Sequence, residues 1–341
     1  MIIYIEKQVK NYPQTKKILE KYKKSQVVFI DHYKNIFDKN YKNLNSKKSL
    51  IVAKLSSNAV TEAPVWYWHT KNAYFFKTSL NCVFDCSYCY LKWAFKNENM
   101  VVFVNYEDIK REIISKTPPN LPLSGEEQNQ ENIWFYSSDY SDILGMDNLS
   151  WFCQDFITFF EKFNLPPLGG KSLKGDGGIF MEIRTKSANI KPLLDLWFVP
   201  KNTEIAFSLN PQILIDKYEK GTSSLIDRLK AIDILKQKWF RVGIRFLPLL
   251  PIKNYKKIYK EFIEQVKDNI NICDIDSTFA SWLLYTKKDY NKILLKYPDL
   301  DILHMLELDK DNFYRESKKV RNDFYTMFKN LDNSCILCLE N

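Results

Sequence analysis

The sequence predicts an α/β protein built on an incomplete six-stranded β/α barrel, with a small N-terminal α/β region and a helical C-terminal appendage. Two observations predict it. From about residue 72, short aromatic and β-branched runs alternate with helical segments. Those runs number six, and strands separated by helices pair in parallel through right-handed crossovers.

In chain order, residues 1–70 form the N-terminal region. A Lys-rich amphipathic helix is expected over Gln14–Ser25, with strands over Gln26–Ile30 and Ser49–Leu55. Residues 71–286 form the barrel. Its strands are expected at Ala73–Thr78, Asn132–Ser137, Ile179–Arg184, Glu204–Leu209, Arg241–Leu247 and Ser277–Leu284. Helices are expected at Tyr106–Ser115, Asn148–Phe163, Ile190–Trp197, Ser223–Gln237 and Tyr255–Lys267. Residues 287–341 read as mostly helical. The strand count is equally compatible with a partly closed barrel and an open doubly wound sheet. In a barrel the chemistry collects at the C-terminal ends of the strands.

Composition narrows the class. Hydrophobic residues make up 45% and charged residues 27% of 341, as in a soluble globular protein. Apolar runs such as Phe246–Ile252 fall far short of the roughly 20 residues a membrane helix needs. The start, MIIYIEKQVKNY, lacks the pattern of a secretory signal, so the expected location is the cytoplasm. Fifty Lys plus Arg against 41 Asp plus Glu give +9. That excess suits a polyanion such as DNA, and equally a Lys-, Asn- and Ile-rich composition whose lysines solvate the surface. The Trp66-Tyr67-Trp68 run could stack on bases or pack as a strand. Five of the nine glycines lie between Gly169 and Gly178, but Leu165 stands where a phosphate-binding loop needs Gly, and the segment follows a helix. It reads as a connection.

Chemistry concentrates in TSLNCVFDCSYCYL, residues Thr78 to Leu91, where three of the seven cysteines sit within eight residues. The spacing Cys82-x3-Cys86-x2-Cys89 follows a strand. Three such thiolates wrap one cubane and ligate three of its irons, leaving the fourth open. A structural zinc site wants a fourth protein ligand, and none is adjacent. The other four cysteines, Cys153, Cys273, Cys335 and Cys338, read as packed or incidental thiols, although the Cys335-x2-Cys338 pair has the spacing of an auxiliary cluster.

This spacing resembles the signature of the radical S-adenosylmethionine (SAM, AdoMet) superfamily, and the similarity extends to the spore photoproduct lyase family. CSYCYL is similar to that family's loop, and MVVFVNYEDI, SDILGMDNLS, IRTKSANI and AFSLNPQILIDKYEKGTSSLIDRL follow in the family's order. The resemblance implies one 4Fe–4S cluster on Cys82, Cys86 and Cys89, with S-adenosyl-L-methionine on the open iron. It implies AdoMet contacts from Lys186, Ser208 and Asn210, and tyrosines, Tyr88 and Tyr90, that border AdoMet and relay hydrogen atoms. It further implies DNA as partner, an electron donor of the flavodoxin or ferredoxin kind, no membrane, and lyase repair of a thymine photoproduct through a 5′-deoxyadenosyl radical. A lesion in a duplex would be flipped out. RNA, a peptide or a metabolite as substrate of the same fold, and a non-catalytic Fe–S or nucleic-acid-binding module, are the competing readings.

One departure matters. The family's hydrogen-donor cysteine falls at Asp139, which resembles instead the superfamily's acidic ligand to the AdoMet amino group. Slow repair or abnormal adducts are therefore expected, with Tyr90 as the remaining donor.

Overall fold

A computed structural model describes residues 2–38, 48–64, 72–117, 132–163 and 178–338. The Trp66–Trp68 run and nearly all of the glycine-rich segment lie outside these residues. All six expected barrel strands are present, as Ala73–Phe76, Ile133–Tyr136, Ile179–Thr185, Thr203–Leu209, Arg241–Leu249 and Ser277–Trp282. They lie side by side in chain order, and each adjacent pair is parallel. Every crossover therefore steps the same way. A doubly wound sheet reverses its order at a switch point, and this one does not. Phe75, Tyr136, Glu182, Ser208, Arg245 and Phe279, one from each strand, line a single cavity, so the sheet curls round it. Val60–Glu62 adds antiparallel at one edge and Ile336–Leu337 parallel at the other.

The strand sequences explain the burial. Ile133–Tyr136 is aromatic or branched throughout and buried throughout, the pattern of a parallel strand covered on both faces. In the middle strands, alternation turns charged residues inward. Arg245 donates to Glu182 (2.5 Å), Glu204 (2.5 Å) and the Ser277 hydroxyl (2.8 Å), all buried. A Cβ on Gly243 would sit 2.5 Å from Glu204 Oε1, so only glycine leaves room for this network.

A second sheet runs in the order Gln26–Ile30, Ile2–Glu6, Leu50–Ala53, Met100–Phe103, Ser79–Leu80. The strand Ile2–Glu6 was not among the expected elements. Hydrogen bonding crosses residue 70, because Leu50–Ala53 pairs in parallel with Met100–Phe103. The chain thus leaves the barrel sheet at Phe76 and enters the second sheet at Ser79. The cysteine loop begins at that change of sheet.

The expected helix over Asn148–Phe163 is instead two pieces. A helix spans Ile143–Ser150, and Trp151 ends it in the left-handed region (φ 53°). Asp147 is the cause: its side chain accepts from Cys153 N (2.7 Å), a local bond that competes with helix continuation. Helical structure resumes at Cys153–Ile157 with π-type bonding and ends as Thr158–Phe160. After residue 287, the helices Lys287–Lys296 and Lys318–Leu331 are joined by an antiparallel sheet of Tyr285–Thr286, Glu307–Leu308 and Phe313–Arg315. Strands of two or three residues carry too few positions for a period-two pattern. No helix among the described residues is long and apolar enough to cross a membrane.

Glu316, 1% exposed, follows that small sheet, and burial pushes its carboxyl up to about 8. The folded state holds the proton that the unfolded chain releases near pH 4.5. Stability from this group is full below that pH and is lost as pH rises towards 8. Glu316→Gln should flatten that slope, gaining on the order of a few kcal/mol over the wild type between pH 5 and pH 8. Urea midpoints at the two pH values measure it; equal slopes would refute it.

Candidate active site

The cysteine loop is fixed on three sides. At its start, Asn81 takes the left-handed conformation (φ 62°) that Asn tolerates, and its amide donates to Asn97 O and Asn99 O, both 2.9 Å. In the middle, Asp85–Cys86 pairs antiparallel with Glu219–Lys220, and Ser87 N donates to Tyr218 O (2.7 Å). At the end, the Tyr285 hydroxyl donates to Tyr88 O (3.0 Å), and Lys92 pairs with Asp85 (2.5 Å).

Glu219 holds the centre of this arrangement. Its carboxylate accepts from the Tyr88 hydroxyl (2.5 Å), the Asn210 amide (2.8 Å) and Arg228 (2.6 Å). Burial pushes the Glu219 carboxyl up, but Arg228 and Lys186 outweigh it and hold the group below its ordinary range. Arg228 also donates to Ser208 O (2.7 Å), tying the fourth barrel strand to the loop.

Cys82, Cys86 and Cys89 line one cavity of about 620 Å³, within the range of small-molecule sites. Burial pushes the Cys82 thiol up to about 12 and raises Cys86 and Cys89 as well. Opposing forces favour thiolates. The peptide N–H of Phe84 points at Cys82 Sγ (3.5 Å), those of Asp142 and Leu91 favour ionised Cys82 and Cys89, and the Lys186 ammonium favours ionised Cys86 and Cys89. Peptide donors to sulfur accompany cluster ligation, and a three-thiol donor set leaves one iron of a cubane open. The residues present fit that group. Among the described residues, no three His, Cys, Asp or Glu converge as a single-ion site.

The remaining expected site residues divide. Lys186 and Ser208 line the cavity at strand ends, and the Lys186 ammonium lies 5.8 Å from the Tyr88 ring centre. The Ser208 hydroxyl is buried without a partner. Asp139 and Tyr90 also line it; the Tyr90 hydroxyl donates to Asp139 O (2.6 Å) and Oδ2 (3.2 Å). Burial raises the Asp139 carboxyl, against the pull of Tyr90, Arg184 and Lys77. Asn210 stands behind the wall, its amide turned to Glu219 and Leu247 O (3.1 Å). Asp142 is a helix cap: it accepts from Gly145 N (2.8 Å), the Thr185 hydroxyl (2.7 Å) and Lys186 N (2.6 Å).

Sequence reasoning missed Glu219, Arg228, Arg184, Arg245 and Cys338. Charged residues inside otherwise apolar strands, as in IFMEIRT, were the available signal for Arg184. Cys338, read as packed or incidental, lines the cavity. Cys153 lies fully buried in the core and Cys273 is exposed.

Comparison with known proteins bears on this geometry. The family model described as spore photoproduct lyase matches residues 1–330. Spore photoproduct lyase of Clostridium acetobutylicum is 26% identical over 222 residues, covering 64% of this chain and 58% of that protein. The Bacillus subtilis protein of the same name is 23% identical over 273 residues, covering 78% of this chain and 72% of that one. The match to the Clostridium protein thus spans less than two thirds of its length. Two solved structures share the fold: a spore photoproduct lyase complexed with dinucleoside spore photoproduct, and a mutant with bound AdoMet and the same dinucleoside. Each has a TM-score of 0.75 at 18% identity and covers 98% of this chain and 97% of its own.

Proposed function

Because the chain belongs to the spore photoproduct lyase family, we propose that it repairs the spore photoproduct of DNA, using a 4Fe–4S cluster and AdoMet. The observation that carries the proposal is the cysteine loop. Three thiols with a free-iron donor set line a cavity at the C-terminal ends of a singly wound parallel sheet, together with Lys186, Ser208, Asp139 and Tyr90. Two relatives of this fold hold the dinucleoside photoproduct, one of them with AdoMet.

Cys82, Cys86 and Cys89 hold the cluster in this reading. Bound there, the cluster and AdoMet would supply the radical chemistry that the repair requires. The protein's part is to bind, orient and exclude water. Asp139 would bind the AdoMet amino group, and the Ser208 hydroxyl, which has no partner in the protein, would be offered to the cofactor. Lys186, on the cavity wall, would pair with the AdoMet carboxylate. Tyr88 is a positioning residue, because its hydroxyl is committed to Glu219 and its ring lies beside Lys186. Tyr90 keeps its hydroxyl on Asp139 at the cavity and is the tyrosine suited to hydrogen relay. Reducing electrons come from a ferredoxin- or flavodoxin-class donor.

The test is anaerobic reconstitution with AdoMet, reductant and dinucleoside spore photoproduct. The expected products are thymidylyl-thymidine and 5′-deoxyadenosine. A chain that forms 5′-deoxyadenosine but leaves the photoproduct intact acts on another substrate. Asp139→Ala should weaken AdoMet binding by roughly 1–3 kcal/mol, the cost of leaving a buried polar group without its partner. Isothermal titration reads this directly, and unchanged affinity removes Asp139 from the AdoMet site.

A further inference from the structure

We propose that Cys338 is the thiol that gives a hydrogen atom to the carbon radical left on the repaired product. The inference rests on the functional reading above and adds the residue that completes it. Four thiols line the cavity, and three belong to the cluster loop. The fourth is Cys338, which no part of that loop touches in sequence.

Its placement is built. The strand Ile336–Leu337 pairs in parallel with the sixth barrel strand, Phe279 opposite Ile336 and Ala280 opposite Leu337. Cys338 N then donates to Ala280 O (2.9 Å), which fixes the residue at the edge of the barrel sheet opposite the outer strand Val60–Glu62. The side chain is 8% exposed and packs in an aromatic layer with Phe75, Tyr136 and Phe279, all of which line the cavity. A second observation points to a ligand in the same space. The Ser208 hydroxyl, on the wall of that cavity, is 1% exposed and has no hydrogen-bond partner.

The chemistry asks for a thiol. A sulfur–hydrogen bond is weaker than the carbon–hydrogen bond it would form, so transfer to a carbon radical runs downhill. A thiolate has no hydrogen atom to give. Burial pushes the Cys338 thiol up to about 11, with Glu182 assisting and Arg184 and Arg245 opposing, so S–H persists near neutrality. The other positions are unsuited. Asp139 carries a carboxyl, Cys153 is enclosed in the core, and Cys273 is on the surface.

The step balances as follows. The S–H bond of Cys338 breaks homolytically, a C–H bond forms on the product, and a thiyl radical remains on Cys338. One electron from a ferredoxin- or flavodoxin-class reductant and one proton from water restore the thiol.

The test uses the reconstituted full chain with AdoMet, reductant and dinucleoside spore photoproduct in deuterium oxide. The wild type should place one solvent deuterium in each repaired product, because a thiol exchanges with solvent. Cys338→Ser and Cys338→Ala, each with wild-type visible absorption, should still form 5′-deoxyadenosine but lose at least ten-fold in clean product and yield adducts instead. Variants that give the same clean, deuterated product overturn the assignment and leave Tyr90 as donor. Failure of every protein, wild type included, to form 5′-deoxyadenosine would overturn the functional reading, and the Cys338 assignment with it. A readout without turnover is labelling of the holoenzyme by methyl methanethiosulfonate. Modification of Cys338 should slow several-fold when AdoMet and the dinucleoside are both bound. An unchanged rate counts against a cavity-facing role.

Discussion

Replacing Cys82, Cys86 or Cys89 singly by Ala should abolish visible absorption and AdoMet cleavage together. The wild type should reach about four irons and four sulfides per chain, as one cubane requires. The fourth thiol of the cavity, Cys338, lies outside the loop and is held by Ala280 O at the sheet edge. Loss should be near complete for each variant, because a cubane with two protein thiolates exposes two irons. Cys153→Ser and Cys273→Ser should load iron as the wild type does. Iron analysis and anaerobic absorption spectra decide it. A single loop variant that keeps full iron content would remove that cysteine from the ligand set.

Glu219→Ala should be the most damaging change outside the cysteines. Glu219 and Arg228 both have fully buried side chains, and removing the carboxylate strands a guanidinium without its charge partner. Breaking a buried pair in this way costs about 3–5 kcal/mol. The variant also loses the acceptor for Tyr88 and Asn210, so the middle of the cysteine loop is released from the fourth barrel strand. The expected result is a lower urea midpoint and poor iron loading at the same time. Glu219→Gln retains an acceptor oxygen for Tyr88 and should fall between the two. Normal iron loading in a destabilised Glu219→Ala protein would mean that the network holds the fold and leaves the loop alone.

The residues proposed to hold the cluster were legible because their signal is local. Cys82-x3-Cys86-x2-Cys89 states its own donor set, whatever surrounds it. The six barrel strands were legible for a similar reason: each is a largely buried run rich in aromatic and β-branched residues, such as IWFY, set among helical segments. The family order of short motifs pointed to the same architecture.

What stayed hidden depends on contacts between distant segments. The sense in which the sheet winds is set by the spatial order of strands, and strand count carries no information about it. The strand Ile2–Glu6 is completed by partners at Gln26–Ile30 and Leu50–Ala53. Glu219 reads in sequence as one charge in a polar stretch. Only folding brings it against Arg228, Tyr88 and the backbone of Cys86. Cys338 shows the limit most clearly. Its neighbours SCILCLEN look like an ordinary chain end, and its side chain meets the cavity only because two residues, Ile336 and Leu337, extend the barrel sheet. The sequence alone singled out the three thiols proposed to hold iron. The tertiary structure decided which carboxylate holds their loop, and which thiol outside it faces the space where a radical would form, because burial and pairing are properties of the folded chain.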